Sequence, residues 1–347
     1  MAADKFNGQQ IGLNQGKGVV SSDKFGMFMT YATNEVIAAF ARSTVTMDKH
    51  MVRNIAYGKS ATFPVMGRAS ARYLPTGTTL TEGRKEIKQT ERVITIDGTL
   101  TSDVMIYDIE EAMNNFDVRG EYTRQLGESL ALSADGAVLA ELAKAVNLHS
   151  GGSNENIEGL GKPILIKAYH TTASTGADTQ AKRGKKILEA LTEARAKLTS
   201  NYVPSNDRFF FTTPENYSAI LAALSPTEAN YAALIDPETG NIRNVMGFTV
   251  IETPHLTLGD GVASGHKHQF PQGGTGSLAS QNTVTAGNVV GLFMHRSAIG
   301  TVKLKDLTME HGRDIDKQAD IIVAKYAYGH GYLRPEATGA LVFGTSA

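Results

Sequence analysis

The chain has 347 residues, 34 Lys plus Arg against 35 Asp plus Glu, no Cys, no Trp, 13 Phe and 12 Tyr. At roughly 100 to 200 residues per domain, that length makes two or three domains with ample material for a core. A formal charge of −1 argues against a surface that grips nucleic acid or anionic lipid all over, and zero cysteine removes disulfides, thiolate metal sites and cysteine nucleophiles together.

The opening stretch, MAADKFNGQQIGLNQGKGVV, holds no apolar run of the secretory kind. No later run approaches the ~20 apolar residues of a membrane span, so the expectation is a soluble, intracellular protein without membrane contact. Residues 1–20, rich in Gly, Gln and Asn, read as a flexible or partner-ordered arm. From Asp23 the pattern turns helical, with Phe25, Phe28, Met29, Ala32, Val36 and Phe40 on one stripe. That stripe either packs on its own domain or docks on an assembly partner.

Lys59 to Leu74 alternates, with Ala61, Phe63, Val65, Ala69, Ala71 and Tyr73 on one face. A turn-rich PTGTTLTEG separates it from a second extended segment, RKEIKQTERVITIDG. The reading is a long β-hairpin reaching roughly 50 Å. A lone two-stranded ribbon is marginal in water, so such an arm should lie on something else. Charge suggests what: Lys49 to Arg92 carries nine basic and three acidic residues, a net of +6, whereas Thr101 to Leu160 carries three basic and eleven acidic, a net of −8. Either these are two ordinary solvated faces, or the arm of one copy lies on the acidic segment of the next, where complementary potentials fix register.

The acidic segment is a long helix candidate. Asp108, with Glu110 and Glu111, would cap it, and Leu126, Leu130, Ala134, Val138, Leu142 and Val146 recur every four residues. Residues Tyr122 to Ala145 would run about 36 Å, with a bend or break expected near Arg119 to Gly120. A second, mixed α/β unit begins near Pro163: a helix over Lys185 to Leu198, a strand over Arg208 to Thr212, a helix capped by Thr213 with Pro214 at its first position, and a strand over Val245 to Glu252. A Gly-rich loop from Gly259 to Asn288 follows. The closing strands, Val289 to His295, Thr301 to Glu310, Ala319 to Tyr328 and Ala340 to Phe343, are assigned to the domain of the long helix, with the α/β unit inserted.

Catalytic signatures do not emerge. There is no Walker phosphate loop, GxGxxG, HExxH or GxSxG elbow. The His266-x-His268 pair is a weak metal candidate because no acid lies near it in sequence. Glu110 and Glu111 are explained by capping, and no cofactor is expected.

Specific phrases carry more than periodicity does. NQGKGVV (Asn14 to Val20), HMVRNIAYGKSATFPVMGR, ERVITIDGTL, QLGESLALSADGAVLAEL, NYAALIDPETGNIRNVMGF, VVGLFMHRSAIGTVKLKDL and AKYAYGHGYLRPEATGALVF, in that order, resemble the major capsid protein of short-tailed, podovirus-type bacteriophages. The likeness runs from Asn14 to Phe343. It implies the α+β capsid fold shared by tailed phages and the herpesvirus shell floor. Its parts would be an N-terminal arm (1–55), an extended hairpin loop (56–100), a peripheral domain with a spine helix (101–160 and 295–347) and an inserted axial α/β domain (161–294).

The resemblance further implies hexamers and pentamers of an icosahedral shell around double-stranded DNA, a scaffolding protein, a portal or connector, and assembly in the host bacterial cytoplasm. Two site expectations follow. Arg68, Arg72, Arg84, Lys85, Lys88 and Arg92 should dock near Glu121, Glu128, Asp135 or Glu141 of a neighbouring copy. Phe25, Phe28, Val36 and Phe40 should meet the scaffold. An enzyme with a compact α/β globule, or an encapsulin-like compartment, are the competing readings.

Overall fold

The computed structural model describes residues 26–81, 84–96, 98–109, 119–150, 161–170, 180–224, 242, 244–259, 267–272 and 283–344. Phe25, Glu110, Glu111, His266 and the expected arm at 1–20 lie outside them, as does much of the Gly259 to Asn288 loop. The described residues fall into two compact units, one built from segments up to Ser43, Thr99–Ala131 and Lys305–Ala327, the other from Thr44–Gly98, Leu132–Leu304 and Tyr328 onward.

The smaller unit contains α1 (Gly26–Ser43), β4 (Leu100–Tyr107) and the first third of α2 (Arg119–Ser150). It also holds the end of β9 (Ile299–Asp314) and the start of β10 (Ala319–Tyr332). β4 runs antiparallel to β10, from Leu100 opposite Tyr326 to Tyr107 opposite Ala319. Helix α1 lies against α2 at Gly127, where a Cβ would stand 2.6 Å from the Val36 carbonyl and 3.0 Å from the Ala39 methyl. The small residue here is a condition of helix contact. Val36 and Phe40 close this core, Phe40 edge-on to Tyr326 at 6.0 Å.

The larger unit holds β1 (Met51–Asn54), parallel to the start of β9, and a ribbon of β2 (Ser60–Met66) with β3 (Gln89–Thr95). Its centre is a five-stranded sheet, ordered β5 (Ile164–His170), β11 (Thr338–Gly344), β8 (Val289–His295), β6 (Arg208–Thr212) and β7 (Thr249–Glu252). Helices α3 (Gln180–Ser200) and α4 (Pro214–Ala223) pack on each other, close enough at Gly184 that a Cβ would meet the Ala219 carbonyl at 2.0 Å. Phe210, Phe211, Phe248, Phe293, Ile187 and Leu191 are fully buried here, joined by Val138, Leu139 and Leu142 of α2. The middle of α2, Ala134 to Ala143, is buried around its whole circumference, the placement of an enclosed helix.

Several expectations meet the structure here. From Arg119, α2 runs 32 residues, about 48 Å; the expected bend or break near Arg119 to Gly120 borders residues 110–118, which lie outside the described ones. Asp108 and Ile109, ahead of those residues, are helical, and the Asp108 carboxylate is held by Arg313 at 2.5 Å. The hairpin pairs over seven residues a side, not sixteen, because beyond Met66 the alternating positions are Ala69 and Ala71, too small to bury much area, and no layer covers them. Val289 to His295 and Ala340 to Phe343, grouped above with the long-helix domain, instead form β8 and β11 of the five-stranded sheet, with β11 between β5 and β8. Helix α4 begins at Pro214 as expected, but Thr213 makes no side-chain cap; its hydroxyl accepts from Asn216 at 2.9 Å.

Gly136, inside the buried stretch of α2, admits the backbone of Gly259: a Cβ there would fall 1.4 Å from that carbonyl oxygen. Gly136→Ala should therefore destabilise the chain by about 3 kcal/mol or more, read from the urea midpoint of the unassembled protein. A midpoint like wild type would mean that the 259 turn is not seated on the helix.

Candidate assembly surface

The ribbon has a rigid base and an exposed remainder. At the base, the Ile94 side chain lies over Gly300 and Gly331, where added Cβ atoms would sit 3.0 Å from it, and Gly329 leaves room for the Thr95 carbonyl. Lys267 donates to the Thr95 hydroxyl at 3.1 Å, and Arg53 donates to the Thr62 carbonyl at 2.9 Å while covering Phe63. Beyond Met66, every described residue from Arg68 to Lys88 is exposed. These include Tyr73, wholly exposed, with Leu74, Leu80 and Ile87.

The six expected cations divide accordingly. Arg84, Lys85 and Lys88 lie on the exposed stretch. Arg72 is exposed as well and donates to the Leu80 carbonyl at 2.6 Å, closing the distal loop on itself. Arg68 stacks over the Tyr202 ring at 3.5 Å and Arg92 over Tyr332 at 5.1 Å, so both already have aromatic partners in their own chain. The sequence reading missed the exposed apolar residues, although large apolar side chains in a Gly- and Thr-rich stretch without periodicity were the available signal.

The four expected acids divide more sharply. Glu121 and Glu128 are exposed or half-buried on α2 and share Arg124, at 2.5 and 2.7 Å. The bond from that guanidinium holds the Glu121 carboxyl below its usual range. Asp135 and Glu141 are buried, which removes them from any surface. Asp135 accepts from the Val45 amide at 2.7 Å, the Thr46 amide at 3.1 Å and the Thr46 hydroxyl at 2.6 Å. Burial still dominates and pushes its carboxyl up. Burial would raise Glu141 too, but His268 and Lys144, each 3.0 Å away, outweigh it and hold that carboxyl down. His268, thought to lack an acid, therefore has one from a distant helix. Among the described residues no group of three or more His, Asp or Glu has metal-binding geometry.

Of the expected scaffold-contacting stripe, the structure describes the side chains of Val36 and Phe40 only, and both are buried within the smaller unit. Their placement is that of core residues, because α1 turns this stripe onto α2 at Gly127. Phe28 lies within the backbone of α1.

One further cluster was invisible in sequence. His50, buried, is bonded through Nδ1 to the Thr46 carbonyl at 2.8 Å and through Nε2 to the Thr301 hydroxyl at 2.6 Å. Thr301 in turn meets His330 Nδ1 at 2.9 Å. Burial dominates the His50 imidazole and lowers its pKa to about 4.

A family model described as "Gp10A-like: Major capsid protein" matches residues 62–342. The chain is 59% identical over 341 residues to the major capsid protein of Enterobacteria phage T3, covering 96% of each chain. It is 59% identical over 349 residues to the major capsid protein of Escherichia phage T7, covering 98% of this chain and 99% of that one. Among solved structures, the capsid of cyanophage P-SCSP1u is similar with a TM-score of 0.64 and 31% identity, over 87% of this chain and 89% of that one.

Two outcomes follow from these placements. Phe40→Ala should cost about 3 kcal/mol or more in the unassembled chain, and a loss of scaffold response without loss of stability would return Phe40 to a docking role. His50 in the unfolded chain takes up a proton near pH 6.5, whereas the folded site resists until about 4. Its contribution is thus complete above 6.5 and lost as pH falls toward 4, roughly 3 kcal/mol in all. Urea unfolding across that range should show this difference between wild type and His50→Gln.

Proposed function

This chain belongs to the Gp10A-like family of major capsid proteins, and from that premise we propose that its copies form hexamers and pentamers joined through the 67–88 loop. The chain is a structural subunit of an icosahedral phage shell and not an enzyme. The observation that supports the loop as the joint is the exposure of Tyr73, Leu74, Leu80 and Ile87 on a segment with cationic neighbours. Solvent-exposed apolar side chains rimmed by charge mark a protein-binding surface, and a second copy of the chain is the occupant that a shell subunit always has at hand.

The apolar residues should contribute most of the contact energy, with Arg84, Lys85 and Lys88 setting register against Glu121 and Glu128 of the neighbour. Exposed ion pairs contribute under about 1 kcal/mol each, but a closed shell repeats them at every contact. Since Arg124 already holds both glutamates, a docking cation would share this carboxylate pair. Asp135 and Glu141 leave the set because they are buried.

The wider reading assigns residues 1–55 to an arm, 56–100 to the extended loop, 101–160 with 295–347 to a peripheral domain and 161–294 to an axial domain. The pairing of β11 with β5 and β8 favours moving 338–344 to the axial part. Assembly in the host cytoplasm under a scaffolding protein, around a portal, followed by packaging of double-stranded DNA, completes the proposal.

Co-expression with the scaffolding protein, followed by sedimentation and electron microscopy, tests the joint. Replacing both Leu80 and Ile87 by Ser should lower shell yield at least tenfold while leaving the monomer folded. Lys85→Glu with Lys88→Glu should reduce yield and salt tolerance more modestly. Normal shells from both variants would sink this reading.

A further inference from the structure

Seven buried polar side chains of the larger unit form one circuit of contacts that leaves α2 and returns to it. It starts on α2 at Asp135, crosses to Val45 and Thr46, passes from the Thr46 carbonyl to His50, then to Thr301 at the start of β9 and His330 in β10. The His330 ring lies edge-on to His268, centroids 5.5 Å apart, and His268 returns to α2 at Glu141. Five chain segments that are remote in sequence meet here, and every one of these polar side chains is buried.

The hydrogen bonds determine where the protons are. The Thr46 carbonyl can only accept, so His50 Nδ1 carries a hydrogen and donates. A neutral imidazole then has a bare Nε2, to which the Thr301 hydroxyl donates. With its hydrogen committed, the Thr301 oxygen accepts from His330 Nδ1. The chain of donors is complete only while His50 is neutral. Adding a proton at His50 Nε2 would face a second donor toward the Thr301 oxygen and displace the hydroxyl hydrogen from its acceptor.

The charged and titratable surroundings of His50 are mixed. Asp48 on its own segment favours the proton, while Lys303 of β9 and Arg296 before it oppose it. Asp135, reached through Thr46, is itself influenced by His255. His330 stands across Thr301, with Tyr328 edge-on to it and Lys303 over that ring. Beyond it are His268, Glu141 and Lys144, the last also donating to the Lys267 carbonyl.

We propose that this circuit is a neutral-state latch. It holds the 44–50 segment, the link between α1 and β1, onto α2 and β9 near neutral pH, and protonation of His50 releases that segment in acid. The sensor assigned is His50, because among the three imidazoles only its protonation reverses the direction of a hydrogen bond in the chain; a proton on His330 Nε2 leaves the Thr301 contact intact. The latch is internal to one chain and does not depend on which surfaces join the copies.

Hydrogen–deuterium exchange of assembled shells, corrected for the intrinsic pH dependence of exchange, tests it. Between pH 7 and pH 4.5 the amides of 44–50 should lose protection by about tenfold or more relative to those of β8. In His50→Gln, which has no titratable proton, the 44–50 to β8 ratio should stay constant across that range. Constant relative protection in wild type overturns the proposal, whether or not the variant assembles. Asp135→Asn separates the histidine from the buried carboxyl: if that change abolishes the acid response while His50→Gln retains it, the sensor is Asp135 and the proposal fails.

Discussion

Enclosing a helix that carries two carboxylates is the constraint around which the larger unit is arranged. The middle of α2 has no solvent-facing side, yet it includes Asp135 and Glu141. A buried carboxylate without partners costs far more than the helix can gain by packing there. Each is therefore met by a segment from elsewhere: Val45 and Thr46 for Asp135, His268 and Lys144 for Glu141. The same demand draws in the 44–50 link and the 267–270 loop, and it places the Gly259 turn against Gly136. Polar satisfaction, more than apolar area, decides which loops lie on the spine.

The ribbon obeys the opposite logic. Its base is fixed because Ile94 fills space left by Gly300 and Gly331, and the Thr95 carbonyl comes close to Gly329. Past Met66 no such surface exists, pairing stops, and the apolar residues face water. In a subunit built to be one of many, incomplete burial is tolerable, and under the proposed joint a neighbouring copy supplies the missing surface. Arg68 over Tyr202 and Arg92 over Tyr332 anchor the segment without covering it. The smaller unit needs no such outside help at its centre: α1 on Gly127, Phe40 on Tyr326, and Asp320 held by Arg119 at 2.9 Å.

Much of this was legible in the sequence. Period-four apolar spacing located α2, strict alternation located the ribbon, and β6, α4 and β8 fell where their patterns placed them. The phrases shared with phage capsid proteins indicated the family, and the 59% identity to the phage T3 and T7 major capsid proteins agrees. These signals are local, and local spacing reports which face of an element is apolar.

What the sequence could not rank was the fate of each charge. Glu121, Glu128, Asp135 and Glu141 belong to one acidic helix and look alike in one dimension; only the folded chain exposes the first two and buries the others. Val36 and Phe40 likewise read equally well as a docking stripe or a core. Spacing by itself placed most of the elements, composition gave the opposed charges of ribbon and spine, and the resemblance of whole phrases indicated the capsid family. Tertiary structure alone decided which of those charges remain available to a partner, because burial and hydrogen bonding depend on segments up to 251 positions apart, and no local pattern encodes such a meeting.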